Sequence, residues 1–312
     1  MEKLFSLISS NKYKNIIVMC GAGISVASGI PDFRSPKFGL YPSIKKELEL
    51  KKKKPTFVFE IETFLHDPRP FWWIFTKLWK KTSKAAPTSF HFFIKLLNEK
   101  GLLRRCYTQN IDGLEELAGL PKEKVVHAHG VIDTCHCMMC NKEYPLRFCM
   151  NQISENLTNK NPTIEKTKVT ICDNCGSKFV KPDAVFFHQD LPDYFFDQYP
   201  QDFKNADLLI IAGTSLEVYP FASLPSMVNN NVPRFLINKN QIKFPKRYKT
   251  KEKLDWFIEG DCQEFANEIC NKLGWKNELN SLISSKKTVD ETYSINDTVQ
   301  KENGYLQCGP RV

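Results

Sequence analysis

Asn15-Ile-Ile-Val-Met-Cys20 is a continuous apolar run that stops at Gly21 and continues as Ala22-Gly23-Ile24-Ser25. A strand that is apolar on both faces belongs inside a parallel sheet covered from both sides, and the glycines after it suit a tight strand-to-helix turn. The same shape recurs at Leu103 to Thr108, ending in Gln109-Asn110-Ile111-Asp112-Gly113, and at Ala206 to Ala212, ending in Gly213-Thr214-Ser215. It returns at Pro233 to Ile237, ending in Asn238. Helical patterns fall around these strands, at residues 3–10, Thr88 to Lys100 and Ile111 to Gly119. The alternation predicts an α/β fold, a doubly wound parallel sheet whose ligands sit outside the carboxyl ends of the strands.

Two segments break the alternation. Residues 38–83 read as helical and aromatic, with Phe57, Phe59, Phe64, Phe71, Trp72, Trp73, Phe75 and Trp79, and residues 134–180 carry paired cysteines. Both are expected to form a smaller lobe, a helical module (38–83) and a zinc-binding module (134–180). The large domain is then assembled from 1–37, 84–133 and 181–276. After Gly274-Trp275 the apolar periodicity fades and Asn, Ser, Thr and Lys accumulate, so 277–312 is expected to be a disordered tail.

Composition excludes several classes. A hydrophobic content of 42% against 25% charged residues is that of a globular chain and not a disordered one. No run reaches the 18 or so apolar residues of a membrane span, and the first residues lack a secretory h-region, so cytosol or nucleus is the expected location. The net charge of +9 sits largely in two runs, Lys51 to Lys54 and Lys243 to Lys253. Neither interleaves with aromatics, so they read as solvated loops, with a surface attracting nucleic acid or an acidic partner as the alternative; direct nucleic-acid binding is not expected. Eleven cysteines, an odd number without an export signal, argue for metal ligands and buried thiols over a disulfide framework.

Four constellations carry chemistry. Gly21-Ala22-Gly23 after a strand suits a phosphate at a helix N-terminus, although an ordinary turn fits as well: the third glycine of the dinucleotide fingerprint is Val26, and no acid follows about 20 residues on. Ser28-Gly29-Ile30-Pro31-Asp32-Phe33-Arg34-Ser35-Pro36 sets an acid, an aromatic and a cation side by side in a rigid loop. Cys137-Met-Met-Cys140 and Cys172-Asp-Asn-Cys175 are two knuckles of a tetrahedral thiolate zinc site, with a redox dithiol as the alternative. Their wide separation is accounted for by an insertion around 151–168; Cys135, His136 and Cys149 are left as spares. Four thiolates leave no open position, so the metal is expected to be structural. His127-Ala128-His129-Gly130 follows Val125-Val126, and two histidines two apart suit either a metal or one base and one bystander. Asp112 can also be a helix cap.

Taken together, GAGISVASGIPDFRSP, YTQNIDGLEELAGL, HAHG, the two CxxC pairs, KPDAVFF, GTSLEVYPFASL, FLINK and EGDC are similar in order and position to the sirtuin family of NAD-dependent protein deacylases, over about residues 13–276. The resemblance, nearest to the eukaryotic deacetylase class, implies a Rossmann-like large domain and a structural Zn2+. It implies NAD held by Gly21, Ala22, Gly23, Asp32, Phe33, Arg34, Gln109, Asn110, Ile111, Asp112, Gly213, Thr214, Ser215, Asn238 and Cys262. His129 matches the catalytic base, with Asn110 and Asp112 beside it. Acyl-lysine proteins, histones or tubulin-like cytosolic proteins among them, are the implied substrates. They would pair as an added strand between Val185-Phe186-Phe187 and Glu217-Val218-Tyr219, with Val185, Phe187 and Val218 lining the site. The implied products are free lysine, nicotinamide and O-acyl-ADP-ribose; protein mono-ADP-ribosylation, long-chain deacylation and a non-catalytic binding module are the alternatives.

Two details are particular to this chain. The family usually has Gly-Glu where His188-Gln189 stands, which bears on peptide preference. The aromatic segment Phe71-Trp72-Trp73-Ile74-Phe75-Thr76-Lys77 lacks the Tyr and Arg three residues apart that mark succinyl and malonyl preference.

Overall fold

The computed structural model describes residues 1–37, 39–48, 54–160, 163–242, 244 and 253–291. Six strands, β1 (Ile16–Cys20), β2 (Leu103–Thr108), β3 (Val125–His127), β7 (Leu208–Ala212), β8 (Arg234–Asn238) and β9 (Asp255–Glu259), form one sheet in the order β3-β2-β1-β7-β8-β9. Every neighbouring pair is parallel. In order of appearance that is the 3-2-1-4-5-6 winding of a Rossmann-like sheet, and the order reverses between β1 and β7.

Strand periodicity explains why both faces are covered. Side chains alternate across a strand: Ile16, Val18 and Cys20 of β1 enter one core, while Ile17 and Met19 enter the other. Strand β7 divides likewise, Leu208, Ile210 and Ala212 against Leu209 and Ile211. Helices Glu2–Ser9, Ser89–Glu99 and Cys262–Lys272 contribute to the first core, and helix Asp193–Asn205 to the second.

The remaining strands, β4 (Gly130–Cys137), β5 (Glu143–Pro145) and β6 (Val180–Ala184), form an antiparallel sheet in the order β5-β4-β6. Its core is shared with the aromatic segment: Phe64, Phe71, Trp72 and Phe75 cluster with Ile132, Tyr144, Met150, Val180 and Phe186. Phe186 lies 4.8 Å from the Phe71 ring and 5.4 Å from that of Phe64. Trp72 and Trp73, of helix Arg69–Thr82, are buried. The insertion around 151–168 contains helix Ser154–Thr158, where Asn156 exchanges two hydrogen bonds of 2.9 Å with the Lys168 backbone.

The expected disordered tail is corrected over 277–291. Lys276–Ser284 is a helix, Leu279 is buried in the first core, and Leu282 and Ile283 pack against it. Those three residues form an i, i+3, i+4 stripe, which the surrounding polar composition masks. Residues 292–312 lie outside the described residues, as do the two basic runs except Lys54, Phe244 and Lys253. Among the described residues no helix is long and apolar enough to cross a membrane.

Candidate functional site

At the point where the strand order reverses, the loops after β1 and β7 meet backbone against backbone. The Gly23 N–H donates to the Gly213 carbonyl at 2.8 Å, and the Gly21 N–H to the Ala212 carbonyl at 3.2 Å. A Cβ at Gly23 would stand 2.6 Å from the Gly213 Cα, and one at Gly21 would stand 2.9 Å from the Thr214 Cβ. Only hydrogen fits at these positions. Ala22–Ile24 then turns into a short 3-10 helix.

The loop after β2 locks into the same place. The Gln109 N–H donates to the Cys20 carbonyl at 3.0 Å, and the Thr214 hydroxyl donates to Gln109 Oε1 at 2.6 Å. Asn110, 7% exposed, donates from Nδ2 to the Gly21 carbonyl and to Ser25 Oγ, both at 3.2 Å. The Asn238 Nδ2 reaches the Thr214 carbonyl at 3.4 Å, Ser215 is half-buried, and buried Cys262 opens helix Cys262–Lys272. Ser28 to Pro36 is organised by Asp32, whose Oδ1 accepts from the backbone of Arg34 at 2.9 Å and of Ser35 at 2.7 Å. Phe33 is partly exposed beside Tyr41, and Arg34 bridges to Glu217 of the opposite loop at 2.9 Å. Ile111 packs against the smaller core.

The two histidines part company, because the chain turns after β3. His127 pairs through Nε2 with Glu116 at 2.6 Å; burial opposes its charge, yet the Glu116 carboxylate holds its pKa up at about 9. The Nδ1–H of His129 donates to the Gln109 carbonyl at 3.1 Å. A carbonyl only accepts, so the proton is on Nδ1 and Nε2 carries the free lone pair. Burial lowers the His129 pKa below the ordinary value, keeping the ring neutral. Gly130 follows at φ +70, where a Cβ would collide with the Asp183 carbonyl. The next strand is therefore drawn tight against β6.

Behind the histidines lies a buried polar cluster absent from the sequence reading. Asp112 caps the Leu114 N–H at 3.1 Å, and carboxylate oxygens of Asp112 and Glu115 and a ring nitrogen of His91 lie within 4.8 Å of one another. Burial raises the Asp112 pKa, and burial with the nearby Asp112 carboxylate pushes Glu115 up to about 7. The Thr88 N–H donates to His91 Nδ1 at 3.2 Å, which assigns the proton of this ring to Nε2. The signals available were a lone His in the apolar helix Ser89–Glu99 and a buried second carboxylate two residues after Gly113.

Val185 donates to the His129 carbonyl at 2.8 Å, and Phe187 to the Phe59 carbonyl at 2.8 Å. His188 sits at φ +70, and the Gln189 N–H closes onto the Phe186 carbonyl at 3.1 Å while its Oε1 accepts from the Phe186 N–H at 3.0 Å. Val218 is half-buried and accepts from the Ala222 N–H at 2.9 Å.

The four expected zinc cysteines, Cys137, Cys140, Cys172 and Cys175, bring their sulfurs within 4.8 Å of one another. Cys137 and Cys175 are 3.6 Å apart and Cys140 and Cys172 3.5 Å. Zinc–sulfur bonds of about 2.3 Å give tetrahedral edges of about 3.8 Å, so the donor set fits Zn2+. Of the spares, His136 is committed to Asp183 at 2.7 Å, and Cys135 and Cys149 are buried in the smaller core.

Glycine loops meeting at the switch point of a parallel sheet, together with a tetrathiolate module, define a dinucleotide-binding α/β protein with a structural metal. The chain belongs to the Sir2 family, whose model matches residues 21–220. It is 43% identical to the NAD-dependent deacetylase sir2A of Dictyostelium discoideum, over 91% of this chain and 54% of that protein. It is 40% identical to the NAD-dependent protein deacetylase sirtuin-2 of Danio rerio, over 96% of this chain and 78% of the relative. With the NAD-dependent protein deacetylase hst2 of Schizosaccharomyces pombe the identity is 38%, over 96% of this chain and 86% of the relative. The chain spans about half the length of the Dictyostelium relative.

Proposed function

We propose that the chain is an NAD-dependent protein-lysine deacetylase that transfers the acyl group to ADP-ribose and releases nicotinamide. The observation that carries the reading is His129: its Nδ1–H is committed to the Gln109 carbonyl, so a neutral ring offers Nε2 as a base. The residues fit NAD because Gly21, Gly23 and Gly213 carry no Cβ, so the loops after β1 and β7 meet at the switch point with bare backbone, as the close approach of a pyrophosphate requires. When bound, NAD supplies a glycosidic carbon that an acyl oxygen can attack.

In this reading Gly21, Ala22, Gly23, Thr214 and Ser215 hold the phosphates, and Gly213, Asn238 and Cys262 border the adenosine end. Asp32, Phe33, Ile111 and Asp112 line the nicotinamide pocket, and Gln109 and Asn110 orient the ribose hydroxyls. His129 removes a proton through those hydroxyls. Val185, Phe187 and Val218 receive the acyl-lysine strand, a mode in which backbone bonds give affinity with little sequence demand. Histones or tubulin-like cytosolic proteins are proposed substrates, and cytosol or nucleus the proposed residence, in keeping with the ten described cysteines, none of which is in a disulfide. The absence of a Tyr and Arg three residues apart in Phe71 to Lys77 favours acetyl over succinyl or malonyl groups.

The test incubates zinc-loaded protein with NAD and acetyl-, myristoyl- and succinyl-lysine peptides, following peptide mass and nicotinamide. Acetyl loss in step with nicotinamide release, abolished in His129→Ala, supports the reading. NAD consumption that labels protein with ADP-ribose while the peptides stay acylated sinks it.

A further inference from the structure

We infer that Val289, near the end of the described chain, is a positioning residue for the nucleotide crevice. The inference rests on the reading above and deepens it. After helix Lys276–Ser284 the chain returns across the molecule, and the N–H groups of Val289 and Asp290 donate to the carbonyls of Ala85 and Ser83, both at 2.9 Å. Val289 is 6% exposed and forms a small separate core with Ala85 and Leu114, against which Ile30, Trp79 and Leu117 pack.

The origins of these neighbours give the contact its meaning. Ile30 belongs to the loop that carries Asp32, Phe33 and Arg34, and the Leu114 N–H donates to the capping carboxylate of Asp112. Trp79 lies in the last turn of helix Arg69–Thr82, and Ala85 lies on the link to helix Ser89–Glu99. One side chain therefore touches or adjoins both the cofactor loop and the loop of Asn110 and Asp112, without reaching either set of polar groups itself.

The strap is preorganised to present it. The Thr288 N–H and hydroxyl donate to Glu291 Oε2 at 2.6 and 2.9 Å, and the Glu291 N–H returns to Thr288 Oγ1 at 3.3 Å. This reciprocal box at the first turn fixes the direction in which Val289 points. Among the described residues, Val289 is the one member of this small core that comes from the C-terminal part of the chain.

The experiment compares the full-length, zinc-loaded chain with Val289→Asp, Val289→Ala and Val289→Ile. Amide hydrogen exchange reads the strap directly and needs no ligand. The expected result is faster exchange in 22–34 and 113–118 in the Asp and Ala variants, with protection in the zinc module unchanged and the Ile variant like wild type. In the same proteins, calorimetric NAD affinity and the KM for NAD weaken by about tenfold in Val289→Asp while kcat changes little, because the loops pay for their ordering on binding. Unaltered exchange in both loops overturns the inference, as does loosening that spreads evenly over the whole chain. Should wild type bind no NAD, the functional reading fails on that measurement, and the exchange pattern still decides the role of Val289. Should Val289→Asp fail to fold, Val289→Ala carries the same comparison.

Discussion

The Nδ1–H of His129 is held by the backbone carbonyl of Gln109 across 3.1 Å, so the loop that positions Asn110 also sets the tautomer of the proposed base. Burial lowers the pKa of this ring, and a base works only when neutral. The acid limb of the rate profile is therefore expected below the ordinary histidine value of 6.5. Measuring kcat/KM from pH 5 to 9 checks it, and His129→Ala is expected to lose about 100- to 10,000-fold.

Glu115 is expected to make stability depend on pH. Its folded pKa is raised from 4.5 to about 7 by burial and by Asp112, so the unfolded chain releases this proton more readily. The contribution of the neutral carboxyl is fully present below 4.5 and is lost as pH rises through 7. Glu115→Gln should gain on wild type between those limits and hold a constant advantage above them. Urea unfolding at pH 4.5, 6 and 8 measures the difference; an equal difference at all three would refute the assignment.

His188 offers a test of local strain. A left-handed backbone costs an ordinary residue about 1–2 kcal/mol, and His188 stands at φ +70 between Phe187 and Gln189. His188→Gly is expected to stabilise the protein by about 1 kcal/mol after the entropy of glycine is subtracted. Gln189→Ala, which leaves the Phe186 N–H without its 3.0 Å acceptor, should cost about 1 kcal/mol. Denaturant midpoints for the two variants should move in opposite directions.

Zinc removal should abolish activity although the metal touches no reactant. Strand β4 runs from Gly130, next to His129, to the ligand Cys137, and Val185 leaves β6 to bond the His129 carbonyl at 2.8 Å. Elemental analysis of the native protein should return stoichiometric zinc. Chelation or Cys172→Ser should unfold the small sheet and raise hydrogen exchange along β4 and β6. Full activity in a zinc-free chain would contradict this coupling.

The central strands were legible because burial on both faces leaves an unbroken apolar signature, as in β1 and β7. Strand β9 was not, since Asp255 to Glu259 is only half-buried and follows a lysine-rich stretch. Strand β4 reads as a cysteine segment because its alternation is broken at Asp133 and Thr134. The four zinc cysteines were placed by spacing alone, and the loops around Gly21, Asn110, His129 and Gly213 by the order of their motifs. The His91, Asp112 and Glu115 cluster escaped because its members come from two separate segments and each looks ordinary locally: a histidine on an apolar helix, an acid that caps, an acid at a helix start. Helix Lys276–Ser284 escaped because three apolar residues among polar ones are a weak periodic signal.

Gly23 and Gly213 touch so closely that neither can accept a methyl group, and each occupies the space the other would need. The consequence is evolutionary as much as mechanical. A change at one cannot be rescued by a smaller residue at the other, since nothing smaller exists. Variation in this crevice must therefore come from the side chains around the glycine pair, and the spacing between the first and fourth strands in sequence order of the parallel sheet is closed to drift.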